Sequence, residues 1–197
     1  MKRLFSIRYT ILLLIAAASL AQFPASSGAV LSASNFSPAA TAQPDIRVDA
    51  YLSANKAQRG RAVQAAVVME IPGGFHVNSN RPLGKFAIPT TIKVEAPGGI
   101  RVGPVVYPRA IARQFKFAEE RLAVYEGRAV MRFNVTVPAN FQTGETQLRM
   151  RVRFQSCNDE VCFQPVTRDI TLPLNVVGAN ESVQRINGEY FGGRRGR

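Results

Sequence analysis

The chain has 197 residues, enough for one medium domain and a leader, and its 46% hydrophobic content is ordinary for a globular protein. Its formal net charge of +12 comes from basic residues spread along the chain, with no aromatic platform interleaved among them, so nucleic acid is not expected as a partner. A solvated basic face, near an acidic membrane surface or an acidic partner, is the expected use of that charge.

Met1 to Arg8 is a basic n-region, Ile11 to Leu20 a short apolar run, and small residues follow. The run is shorter than the roughly 20 residues a membrane span needs, so it reads as a secretory signal peptide over residues 1–21, its end as late as 29. No cysteine lies near the cleavage region, so no lipid anchor is expected. Loss of Lys2, Arg3 and Arg8 with the leader leaves +9. An exported protein, periplasmic or secreted, with no integral membrane segment after cleavage, is expected in a compartment that permits disulfides.

Residues 22–44 are rich in Ala, Ser and Pro without periodicity and read as a disordered linker. The domain is expected over 45–177. Ile46 to Leu52 alternates as a half-buried strand, and Ala62 to Ile71 is apolar enough on both faces to be central. Phe75 to Pro82 is a short extended segment, and a strand runs from Pro89 through Val94. Arg101 to Tyr107 gives short strand pieces broken by proline, and Ala110 to Glu120 is a loop. Leu122–Tyr125 and Ala129–Val137 read as a hairpin turning at Glu126-Gly127, with Ala129, Met131, Phe133 and Val135 on the core face. Met150, Val152 and Phe154 point inward between Arg149, Arg151 and Arg153, and Pro173 marks an edge strand. Residues 178–197 read as a flexible basic tail. Many short strands, turns built on Gly and Pro, and no long amphipathic helix predict an all-β, immunoglobulin-like β-sandwich with a Cys-containing hairpin.

The only two cysteines, Cys157 and Cys162, close that hairpin across four residues, three of them the turn formers Asn158, Asp159 and Glu160. A disulfide there closes a loop so short that its chain-entropy contribution is only about 2 kcal/mol. Short-range, exposed disulfides are the exchangeable kind, whereas a staple between distant segments would hold two sheets together. Two readings stand side by side: a thiol–disulfide exchange module, and a non-catalytic binding or scaffold domain with a stapled hairpin. Asp159 and Glu160 disfavour a thiolate, so the thiols are expected to have ordinary or raised pKa values. Phe115 or Phe117 is a candidate shield over the pair.

Other chemistry has little support. A structural zinc site needs four N or S ligands, and the chain offers two cysteines and the single His76, read as a packed or capping residue. A copper site of Cys157, Cys162 and a methionine would have to use methionines on core-facing strand positions. No serine or cysteine has a nucleophile-elbow context, and no glycine-rich phosphate loop is present, so no metal or cofactor is expected.

The run Cys157-Asn-Asp-Glu-Val-Cys162-Phe-Gln-Pro resembles the active-site hairpin of the N-terminal periplasmic domain of the thiol:disulfide interchange protein DsbD. Gly74-Phe-His-Val-Asn-Ser-Asn-Arg-Pro82, Ile88-Pro-Thr90, Phe115-Lys-Phe117 and Val124-Tyr-Glu-Gly127 follow that family's order, over about Asp45 to Val177. The resemblance implies an immunoglobulin-like sandwich in which Cys157 and Cys162 take electrons from a membrane-embedded thiol transporter of the DsbD or CcdA kind. They would pass them to thioredoxin-like periplasmic proteins, such as disulfide isomerases or cytochrome c maturation factors. It also implies a cap loop at Ala110–Glu120 with a Phe over the disulfide. The family's transmembrane and thioredoxin-like parts are absent, which implies a free-standing version that finds its reductant in trans. Arg113-Gln114 stands where the family's cap often carries acidic residues.

Overall fold

The computed structural model describes residues 43–192; the expected leader and most of the expected linker lie outside them, as do residues 193–197. Twelve strands follow in order: β1 (Arg47–Leu52), β2 (Ala57–Gln58), β3 (Ala62–Glu70), β4 (His76–Asn78), β5 (Thr91–Glu95), β6 (Arg101–Val102), β7 (Ile111–Arg113), β8 (Leu122–Tyr125), β9 (Arg128–Thr136), β10 (Gly144–Phe154), β11 (Ser156–Cys157) and β12 (Val166–Val177). A single 3-10 turn, Gly188–Tyr190, comes last.

Two four-stranded sheets, ordered β1-β3-β9-β6 and β2-β12-β10-β5, form the body of an immunoglobulin-like sandwich. Their inner faces are the alternating apolar positions read from the sequence. Val67 and Met69 of β3, Met131, Phe133 and Val135 of β9, and Leu148, Met150, Val152 and Phe154 of β10 are buried in one continuous core. The period-2 geometry of a strand sends the intervening residues outward, which is why Arg149, Arg151 and Arg153 of β10 are exposed. Arg151 pairs there with Asp169 across the strand boundary at 2.8 Å. Pro173 is accommodated because β12 pairs with β10 along its length but with β2 only at Val176 and Val177. The proline therefore has a free edge and no ladder bond to break.

A third sheet, ordered β11-β4-β8-β7, lies beside the sandwich. It corrects two expectations. First, β8 and β9 do not form a hairpin: β8 pairs with β4 and β7, and β9 pairs with β3 and β6. The turn at Glu126-Gly127, with Gly127 at φ 61°, sends the chain from one sheet to another, and the Gly127 carbonyl accepts a hydrogen bond from Ile71 N. Second, the start of the expected 110–120 loop is strand, because Ile111–Arg113 pairs along β8.

The chain beyond Val177, expected to be a tail, lies against the domain as far as it is described. Ile186 N donates to Ser53 O, Asn55 N to Gln184 O, and Asn187 Nδ2 to Leu52 O. The Tyr190 ring stacks at 4.6 Å on Tyr51, and Arg132 Nε donates to the Tyr190 carbonyl. This segment covers the outer side of the first strands, at Tyr51 and Leu52 of β1 and at Arg132 of β9.

Candidate functional site

The cysteine hairpin leaves β10 at Phe154 and returns as β12 at Val166. Its end is tightened locally. Phe163 N donates to Ser156 O at 2.8 Å and Asn158 N to Val161 O at 2.9 Å. The Asn158 side chain accepts from the backbone N–H groups of Glu160 and Val161, which fixes the four-residue loop. Cys157 and Cys162 face each other across this turn with Cα atoms 3.9 Å apart and are joined by a disulfide.

The pair is not on a free tip, as the sequence alone suggests. β11 pairs with β4, which places Cys157 directly opposite His76. β4 in turn pairs with β8, with Val77 opposite Tyr125 and Asn78 opposite Val124. The same register, continued by one residue, sets Glu126 opposite His76. Cys157, His76 and Glu126 thus form one row across the small sheet, on the face away from the main core. Val77 and Tyr125, which point the other way, are part of that core.

The expected cap segment meets this face at His76. Phe115 is buried in a second apolar cluster with Leu122 and Val124, against Ala87 and Ala118. Its ring meets the His76 ring edge-on at 4.8 Å and stacks on Phe117 at 5.3 Å. Phe117 itself is 40% exposed. The two sulfur-bearing residues are unequally buried: Cys157 is 0% exposed. Cys162 is half-buried and lines a groove of about 570 Å³ with Lys85, Phe86, Phe117, Glu120 and Leu122. Phe86 stands out from the rim at 85% exposure.

Gln155 ties the groove wall to the hairpin. Its side-chain oxygen accepts from Asn78 Nδ2 at 2.9 Å and Ile88 N at 3.0 Å, while its nitrogen donates to Phe163 O at 3.1 Å. One side chain therefore locks β4, the 84–88 loop and the residue after Cys162 together.

Charge at the site is centred on His76, whose side chain is 12% exposed. Its Nδ1 lies 3.0 Å from Glu126 Oε1, off the axis of a hydrogen bond, and its Nε2 lies 3.4 Å from Asp159 Oδ1. Arg113 holds Glu126 with two bonds, of 2.6 and 2.8 Å. The Arg113 hydrogen bond keeps the Glu126 carboxyl below the ordinary carboxylate range, against a smaller opposing effect of burial. Because the folded-state value is the lower one, this carboxylate contributes stability above the ordinary Glu range of about 4.3. That contribution disappears as pH falls through the depressed value. The melting-temperature gap between wild type and Glu126→Gln is accordingly expected to be open near pH 6, to start narrowing as pH falls below about 4.3, and to close only below the depressed value. A gap of constant size across that range, in thermal melts of both proteins, would remove Glu126 from the acid response.

Cys157, Cys162, Phe115 and Phe117 were all singled out in the sequence, and they lie together here. His76 and Glu126 were not joined to them by sequence reasoning. His76 is the sole histidine and lies in the family-like segment Gly74–Pro82, and Glu126 sits in the family-like turn Val124–Gly127, but neither signal hints at the shared row.

The family model described as thiol:disulfide interchange protein DsbD, N-terminal, matches residues 48–174. The chain belongs to this family. Its cysteine hairpin is therefore that of a thiol:disulfide interchange domain, with its two cysteines disulfide-bonded. Among solved structures, the DsbD N-terminal domain of Neisseria meningitidis in its reduced form is similar at 16% identity and a TM-score of 0.41, over 70% of this chain and 88% of that one. The N-terminal periplasmic domain of ScsB from Proteus mirabilis is similar at 14% identity and a TM-score of 0.48. That match takes in 78% of this chain, which spans only 55% of the ScsB domain structure. No curated protein matches the chain. Among the described residues of this DsbD N-terminal family member, no helix is long and apolar enough to cross a membrane, and no three or more His, Cys, Asp or Glu side chains are grouped to hold a metal.

Proposed function

We propose that the domain is a periplasmic electron relay working through Cys157 and Cys162. It takes electrons from a membrane-embedded thiol transporter of the DsbD or CcdA kind and hands them to thioredoxin-like proteins. The observation that carries this reading is the unequal burial of the pair: Cys162 opens on a groove rimmed by exposed aromatic side chains, and Cys157 has no solvent contact. A donor thiolate attacks Cys162 Sγ, the disulfide breaks, and its electron pair goes to Cys157 Sγ. Attack by Cys157 on the resulting mixed disulfide would simply reverse the step; a second donor thiol attacks instead and leaves both cysteines reduced. In the delivery step Cys162 attacks the acceptor's disulfide, and Cys157 then closes on Cys162 and releases the acceptor reduced.

Phe86 and Phe117 supply an apolar rim for the docking partner, and Phe115 and Phe117 narrow the approach to the half-buried Cys162, which slows small thiols when no partner is docked. The alternative role, a stapled binding module, needs no such opening. The two differ in reduction potential. Equilibration with glutathione is expected to place the pair well above about −300 mV, among exchange proteins. A value below about −300 mV would return the hairpin to a structural staple.

A further inference from the structure

We propose that His76 is the proton-exchanging residue of the pair: it protonates the Cys157 sulfur as the disulfide opens and takes that proton back as it closes. The inference rests on the exchange reading above and assigns the one charge that reading leaves without a home. When Cys162 Sγ is attacked, the leaving sulfur is Cys157, and it leaves as an anion at a position with no solvent contact. An isolated buried anion is costly, and Asp159 and Glu160 in the same loop add repulsion. The group beside Cys157 able to relieve this is His76. Directly opposed residues of an antiparallel pair share a face, with Cβ atoms roughly 4.5–5.5 Å apart.

The surroundings of the ring suit that task. Glu126, held by Arg113, sits 3.0 Å from Nδ1 on the strand away from the sulfurs. Nε2 points to the cysteine loop, where it meets Asp159, whose side chain is 81% exposed and free to turn into water. Phe115 closes over the ring from the cap. A proton taken up by the ring lies between two carboxylates, Glu126 Oε1 at 3.0 Å from Nδ1 and Asp159 Oδ1 at 3.4 Å from Nε2. On opening, the S–S bond breaks, its electron pair goes to Cys157 Sγ, and the imidazolium proton follows. On closing, neutral His76 accepts the Cys157 thiol proton, the thiolate attacks Cys162 Sγ, and the partner leaves with the displaced electron pair.

The reduced domain can be tested with the aryl disulfide dithiobis(nitrobenzoate). One aryl thiolate is released when Cys162 is captured and a second when Cys157 closes the pair, and both are read by absorbance in a stopped-flow instrument. His76→Gln is expected to slow the second release about 100-fold and to leave the first within a factor of about two. Glu126→Gln is expected to slow the same second release about tenfold, through loss of the carboxylate beside the ring. Between about pH 7 and about pH 8, closure in His76→Gln should climb about tenfold per pH unit, more steeply than in wild type, because only hydroxide then removes the proton. A purely structural role would not produce that change of slope. Second-phase rates and slopes equal to wild type in both variants would overturn the proposal, and Glu126→Gln alone decides if His76→Gln does not fold. The exchange reading fails by a different sign, a first release as fast in Cys162→Ser as in Cys157→Ser.

Discussion

Exchange with a thioredoxin-like disulfide is expected to vanish in Cys162→Ser and to stop halfway in Cys157→Ser. In the second variant Cys162 still attacks the partner, but no thiol remains to resolve the mixed disulfide, which accumulates as a covalent complex. In the first variant the remaining thiol is Cys157, which is fully buried and out of a partner's reach. Neither substitution should unfold the domain. Opening so short a loop forgoes only about 2 kcal/mol by the chain-entropy estimate, against about 5–15 kcal/mol for a typical domain. The main core, from Val67 to Phe154, is untouched. Non-reducing electrophoresis after incubation with an oxidised thioredoxin-like protein reads the complex directly, and circular dichroism reads the fold. Complexes of equal yield from the two variants, or continued turnover in both, would show that the unequal burial does not direct the attack.

The second large effect is expected at the cap. Phe115 is the buried member of the Phe115–Phe117 stack, and it rests on His76, Leu122 and Val124. Truncating a buried phenylalanine to alanine costs about 3–5 kcal/mol where the surroundings do not collapse around the gap. Here the loss falls on a small cluster outside the main core, so it acts mostly on local opening of the cap. If about 1.4–2.8 kcal/mol of it appears as easier opening, Phe115→Ala should be reduced by glutathione roughly 10–100-fold faster than wild type. Phe117→Ala, which removes the half-exposed outer ring, should show the same direction with a smaller change. Global melting should shift less than truncation at Phe154 in the main core would shift it. Glutathione rates that match wild type in both variants would mean that the loop does not gate the disulfide.

Much of this architecture was legible in the residues themselves. Alternation along β3, β9 and β10 marks the buried face because a strand sends successive side chains to opposite sides, whatever it pairs with. The cysteine hairpin was equally local: two strands, four intervening residues and Asn158 to bind the loop are all contiguous. Pro173 declared its own free edge for the same reason, since a missing N–H is a property of one residue.

Partner choice between strands was not local. Leu122–Tyr125 and Ala129–Val137 look like a hairpin by spacing, yet they enter different sheets, the first paired with β4 and β7 and the second with β3 and β6. That choice is what brings β4 between β8 and the cysteines, and so sets Cys157, His76 and Glu126, up to 81 residues apart in the chain, in one row. The same holds for the segment after Val177, whose polar composition reads as a tail until Tyr51, Ser53 and Arg132 supply its contacts. Which residues face inward, and that two cysteines close a turn, followed from the order of amino acids. Which sulfur is sealed, and which histidine stands beside it, was decided only when long-range pairing chose the neighbours, because burial is a property of what packs on top.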